Sequence, residues 1–160
     1  MKAELVVGTQ YPWNKNIPVW LIIEPEIDSN YILVKTQVTG ISGLLVTPES
    51  AKISNPKAGQ RYNLKFNLIP KVAGEYGVSF IILENNAGII STTSKELRVK
   101  VDQNLELVPK SAEYVRLKVM YAASLWILGI LLLIGLGLFI KKRGLALIQG
   151  WIKKQLKKPI

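Results

Sequence analysis

The chain has 160 residues, a net charge of +10, and neither cysteine nor histidine. That composition excludes disulfides, thiol chemistry and metal sites built on Cys or His, and it removes the commonest general acid–base residue. The basic excess is uneven. Residues 141–160 hold seven Lys/Arg and no acid, whereas residues 1–118 hold fourteen Lys/Arg against eleven Asp/Glu.

The first hundred residues show no helical period. Short β-branched runs are broken by Pro, Gly and Asn at even spacing, which is the pattern of a β-sandwich. Strands are expected at 3–7, 19–24, 31–39, 44–46, 52–54, 62–69, 76–83 and 95–101, with 89–92 as a candidate start of the last. Alternation predicts Tyr62, Leu64, Phe66 and Leu68 inward, with Asn63, Lys65 and Asn67 facing water. Leu97, Val99 and Val101 should likewise face the core, with Arg98 and Lys100 outside. The run Glu84-Asn85-Asn86-Ala87-Gly88 supplies residues that tolerate positive φ and should close a hairpin. Gly59 should permit a tight turn into the Tyr62 strand. Tyr76, at a strand start after Gly74, suits a tyrosine corner.

Catalytic patterns are missing from this region. There is no Gly-x-Ser-x-Gly elbow and no Gly-rich phosphate loop. Glu24, Glu26 and Asp28 are spaced so that oxygen ligands for Ca²⁺ are conceivable, but a solvated inter-strand loop is the expected reading, with no metal and no cofactor. Trp20 sits inside an apolar run and is expected in the core. Tyr11, Trp13 and Tyr31 are the candidate partner-binding residues, with Trp13 between Pro12 and Asn14 the best candidate for an exposed anchor.

Residues 1–101 are thus expected to form the sandwich and 102–111 a linker that Pro109 keeps from being wholly helical. A helix should start at residue 112 with Ser111 as its N-cap. Residues 119–140 are 22 residues without one charge, and as a helix they span about 33 Å, enough to cross a bilayer core of about 30 Å. The membrane segment with its flanks is expected at 112–143. The glycines at 129, 135 and 137 form no small-xxx-small pair, although Ala122 and Gly129 share a face at heptad spacing.

In the tail, 144–160, Leu145, Ile148, Trp151, Ile152 and Leu156 fall near one helical face and lysines occupy the other. This is the pattern of a basic amphipathic helix lying on an anionic inner leaflet. Lys141, Lys142, Arg143, Trp151, Lys153, Lys154, Lys157 and Lys158 are the expected membrane-surface residues. Contact of the tail with an acidic protein, RNA or a ribosome is the lesser reading, and DNA is not an expected partner. Loops rich in Lys/Arg stay cytoplasmic, so the sandwich should be extracytoplasmic and the tail cytoplasmic in a cell membrane. The N-terminal apolar run, Leu5-Val6-Val7, is too short for a signal peptide. Export would then rest on an upstream signal or on the anchor itself; a tail-anchored chain with a cytoplasmic domain is the alternative.

The stretch Val46-Thr47-Pro48, Ala58-Gly59-Gln60, Phe66-Asn67-Leu68-Ile69-Pro70 and Ala73-Gly74-Glu75-Tyr76-Gly77-Val78 resembles extracytoplasmic Ig-like modules of the CARDB and NEW3 kind. The resemblance implies an all-β Ig-like sandwich of about seven or eight strands and transfers no function. Val78 stands where an antibody-type domain would carry Cys. In architecture the chain resembles the α subunit of the translocon-associated protein complex, which implies a tail near the ribosome. With reversed topology it resembles VAP-type MSP proteins. The leading expectation is a non-catalytic accessory or scaffolding subunit bound to other membrane subunits. The alternative is an independent surface module for adhesion or glycan binding.

Overall fold

A computed structural model describes the backbone of residues 1–40 and 42–156 and the side chains of residues 1–40 and 42–141. Nine strands and one helix follow in chain order: β1 Lys2–Val7, β2 Ile17–Glu24, β3 Tyr31–Gly40, β4 Leu44–Thr47, β5 Ser50–Ser54, β6 Tyr62–Pro70, β7 Gly74–Asn86, β8 Ile89–Val101, β9 Leu107–Val108 and α1 Ala112–Leu156. Met1–Lys118 form one compact unit and Val119–Ile160 a second.

The strands make two antiparallel sheets, β1-β2-β6-β4 and β5-β3-β7-β8-β9. Period-two alternation sends one face of each sheet inward. Val19, Leu21 and Ile23 of β2 meet Ile32 and Val34 of β3, Phe66 and Leu68 of β6, and Val78, Phe80 and Ile82 of β7 in a fully buried core. Phe66 and Phe80 join the two sheets edge to face, with ring centroids 5.1 Å apart, a favoured geometry for an aromatic pair. The inward and outward sets expected on β6 and on the second half of β8 are those observed.

Local chemistry explains the turns. Ala87 and Gly88 both take positive φ, 49° and 88°. They form the two-residue loop between β7 and β8, the backbone that a type I′ hairpin requires. The Tyr76 hydroxyl donates to the Val72 carbonyl at 2.5 Å, so the tyrosine corner is present. Gly59 has φ of 72° with open space around it.

Three expectations change. Trp20 is not a core residue: it alternates with the buried Val19 and Leu21, so it lies on the outer face of β2. There its ring packs against Gly8, leaving no room for a Cβ, and carries Lys65 above it at 5.9 Å. A ninth strand, β9, lies in the segment read as a linker. The tail helix is not a separate element, because α1 continues without a break to Leu156.

The strand registers define two ends. The β1–β2 loop, the β6–β7 turn, β9 and the start of α1 share one end, here the α1 end. The β2–β3 loop and the β7–β8 turn share the opposite end.

Candidate functional site

The α1 end is held by two side chains. Gln10, in the β1–β2 loop, is buried. Its Nε2 donates to the carbonyls of Lys15 (2.7 Å) and Leu105 (2.9 Å), and its Oε1 accepts from the Leu107 amide (2.9 Å). One amide thus ties the loop to the segment that carries β9. Asp102 shapes that segment, its Oδ1 accepting from the amides of Asn104 and Glu106, both at 2.9 Å.

Glu106 is the second. It is 3% exposed, and three lysines converge on it: Lys110 at 2.6 Å, Lys118 at 2.8 Å and Lys15 at 3.6 Å. Burial raises the pKa of its carboxyl, but the ammonium groups of Lys110 and Lys118 and the neighbouring Tyr114 outweigh burial and bring it down to about 2. Tyr114 is buried beside it with no hydrogen bond of full geometry to its hydroxyl. Burial first, and the Glu106 charge second, push the phenol pKa up. Ser111 Oγ accepts from the Tyr114 amide at 3.1 Å, the N-cap expected from the sequence. The Thr9 hydroxyl donates to Glu113. A cleft of about 320 Å³ opens here, lined by Gly8, Arg98, Leu107, Lys110, Ser111 and Tyr114 among others.

The sequence-predicted partner residues do not form one patch. Tyr11 and Trp13 stack at 5.1 Å with 23° between their planes, at the tip of the β1–β2 loop. They are 45% and 56% exposed. Tyr31 begins β3 at the opposite end, half-buried, with Lys52 over its ring at 4.9 Å and Asn85 donating to its hydroxyl at 3.4 Å.

The carboxylates weighed as a Ca²⁺ set go to separate cations. Glu24 pairs with Arg61 (3.2 Å) and Lys2 (3.8 Å), Glu26 with the Met1 amino group (3.0 Å), and Asp28 with Lys57 (2.9 Å). Among the described residues no group of acidic side chains is placed to hold a metal.

Two surfaces stand out beyond those predicted. Pairing by β9 covers only Lys100 and Val101 of β8. Ile89–Val99 therefore present an open sheet edge among the described residues, ending in Ile89 and Ile90, which are 76% and 57% exposed. On α1, the run from Ala112 to Lys141 is long and apolar enough to cross a membrane, and none of its most apolar window is buried. Trp126 alone is 76% exposed. A shallow apolar groove runs along Ala122, Trp126, Gly129 and Leu133. Lys141 is exposed at the end of this run. Lys142, Arg143, Trp151, Lys153 and Lys154 lie on the α1 backbone with side chains outside the described residues, and Lys157 and Lys158 lie outside them altogether.

No protein-family model matches the chain, and no curated protein is similar to it. Solved structures similar to it include a FixG-related protein from Vibrio parahaemolyticus, at 12% identity and a TM-score of 0.45, with 61% of this chain and 92% of that one covered. WR4, an MSP family member of C. elegans, is 12% identical with a TM-score of 0.38, covering 60% and 94%. The CsuC–CsuE chaperone–adhesion subunit complex of Acinetobacter baumannii is 18% identical with a TM-score of 0.36, covering 61% and 56%. None reaches a TM-score of 0.5, so the sandwich assignment rests on the strand pairing itself. The resemblance to CARDB and NEW3 modules goes no further than that sandwich.

Proposed function

We propose that this chain is a non-catalytic, single-pass membrane protein that acts as an accessory or scaffolding subunit of a membrane complex. The observation that carries this reading is the charge-free stretch of α1, apolar on every side and exposed on every side. In water such a surface would drive aggregation; in a bilayer it is the expected lipid- or helix-facing surface. The basic run beginning at Lys141 supports a cytoplasmic tail and an extracytoplasmic sandwich.

The β8 edge supports a protein-binding role for the sandwich. An extended partner segment can add to an open edge through main-chain hydrogen bonds, with side-chain pockets setting specificity. Lys95 shares the inward face of Phe80 and blunts the middle of the edge, a device that discourages indiscriminate pairing. Ile89–Ser94 beyond it are uncharged, and four of the six are Ile or Thr. Adhesion or glycan binding through Tyr11, Trp13 and Tyr31 as one patch is not favoured, because Tyr31 stands at the other end of the sandwich.

Extraction in mild detergent at native expression level tests the reading. A fixed set of co-purifying membrane proteins is expected, lost from the double variant Ile90→Lys/Thr92→Lys without a change in melting temperature. Recovery of the chain alone would remove the subunit role.

A further inference from the structure

We propose that the stacked Tyr11–Trp13 pair is a lipid-interface contact, seated in the headgroup layer of the leaflet into which the chain descends. The inference rests on the single-pass reading and adds a second point of membrane contact to it. The argument is one of reach within the first compact unit. Lys15, two residues after Trp13, and Lys118, the last residue before the apolar run, both pair with the Glu106 carboxylate, at 3.6 Å and 2.8 Å. Thr9, two residues before Tyr11, donates to Glu113. Tyr11 and Glu113 also line one cleft of about 300 Å³. From Glu113 to Val119 the helix rises only about 9 Å. The loop tip is therefore tied to Glu106, Glu113 and Lys118, which lead into the apolar run, and the headgroup layer is itself roughly 5–8 Å deep on each side of the hydrocarbon core.

The chemistry of the pair suits that layer. Trp and Tyr are the residues enriched at membrane–water interfaces, where an apolar ring body and a polar N–H or O–H each find their own medium. Stacking presents both rings as one rigid surface, so little side-chain freedom is lost on insertion.

Native tryptophan fluorescence tests the proposal on the full chain reconstituted in phosphatidylcholine–phosphatidylglycerol vesicles. In Trp126→Phe/Trp151→Phe, which keeps Trp13 and Trp20, nitroxide lipids labelled at the headgroup should quench the emission. Adding Trp13→Phe should remove that quenching. In Trp13→Phe/Trp151→Phe, acyl-chain nitroxides should quench Trp126, which reports on the span. Equal fractional quenching with and without Trp13, while Trp126 is quenched, would overturn the lipid contact and leave the pair to a protein or glycan, with the span intact. An unquenched Trp126 would instead overturn the span, and the proposal with it.

Discussion

Glu106 is where single-residue chemistry matters most. Its carboxyl pKa sits near 2 in the folded chain against an ordinary 4.5. A depressed folded value means that the ionised form is stabilised by folding. The contribution is therefore complete above about pH 4.5 and is lost as the pH falls toward 2. Glu106→Gln should lower stability at pH 7 by roughly 1–3 kcal/mol, since it leaves three lysines without their shared acceptor. It should also flatten the acid limb of a stability–pH profile measured by denaturant titration. A variant as acid-sensitive as the parent would show that Glu106 is not the group that titrates. Gln10→Ala should cost a similar amount, about 1–3 kcal/mol, because one side chain satisfies three part-buried backbone groups. Neither residue could be singled out from the sequence. Gln10 and Leu107 lie 97 positions apart, and a lone glutamine in a loop has no periodic signature. Ser111 and Tyr76, by contrast, act on backbone three and four residues away, so their roles could be read from local order.

At the scale of elements, alternation carries most of the information. β6 and the second half of β8 were legible because polar and apolar residues alternate along them. β2 was harder. Its run from Ile17 to Ile23 is apolar on both faces, so period alone could not assign Trp20, and the outward face became clear only from the pairing of β2 with β1 and β6. β9 has two residues and no sequence pattern that short is readable. The β7–β8 turn yields a further expectation. Ala87 is an L-residue held at φ 49°, where a Cβ is strained, so Ala87→Gly should be neutral to stabilising by up to about 1 kcal/mol. Gly88→Ala, at φ 88°, should destabilise by about 1 kcal/mol or more. Chemical denaturation of the two variants reads both signs, and the same sign for both would contradict the type I′ assignment. For α1 the decisive feature is its uninterrupted apolar surface. Leu131→Arg near its centre should oppose insertion by about 2.5–3.5 kcal/mol, and the variant should shift from the carbonate-resistant to the extractable membrane fraction.

For the whole molecule, charge and hydropathy divide the chain as the two compact units do, with near-balanced charge before Lys118 and a basic excess after Ile140. That division was legible in the sequence. The arrangement at the α1 end of the sandwich was not, because it depends on contacts between the β1–β2 loop and residues about a hundred positions later. Those contacts change the meaning of Tyr11 and Trp13. On sequence they stood with Tyr31 as candidate partner-binding residues; in the fold they share an end with the residues that lead into the apolar run.

Absence of cysteine allows a direct test of the central claim, that one helix fixes the sandwich outside the cytoplasm and the tail within it. Ser50→Cys, on an exposed position of β5, and Gln155→Cys, in the tail, would each be exposed to a membrane-impermeant maleimide on intact cells. Labelling of Cys at 50 before permeabilisation, and of Cys at 155 only after it, is the expected result. The opposite pattern would make the chain a tail-anchored protein with a cytoplasmic sandwich, and equal labelling of both sites on intact cells would show that α1 does not cross the membrane.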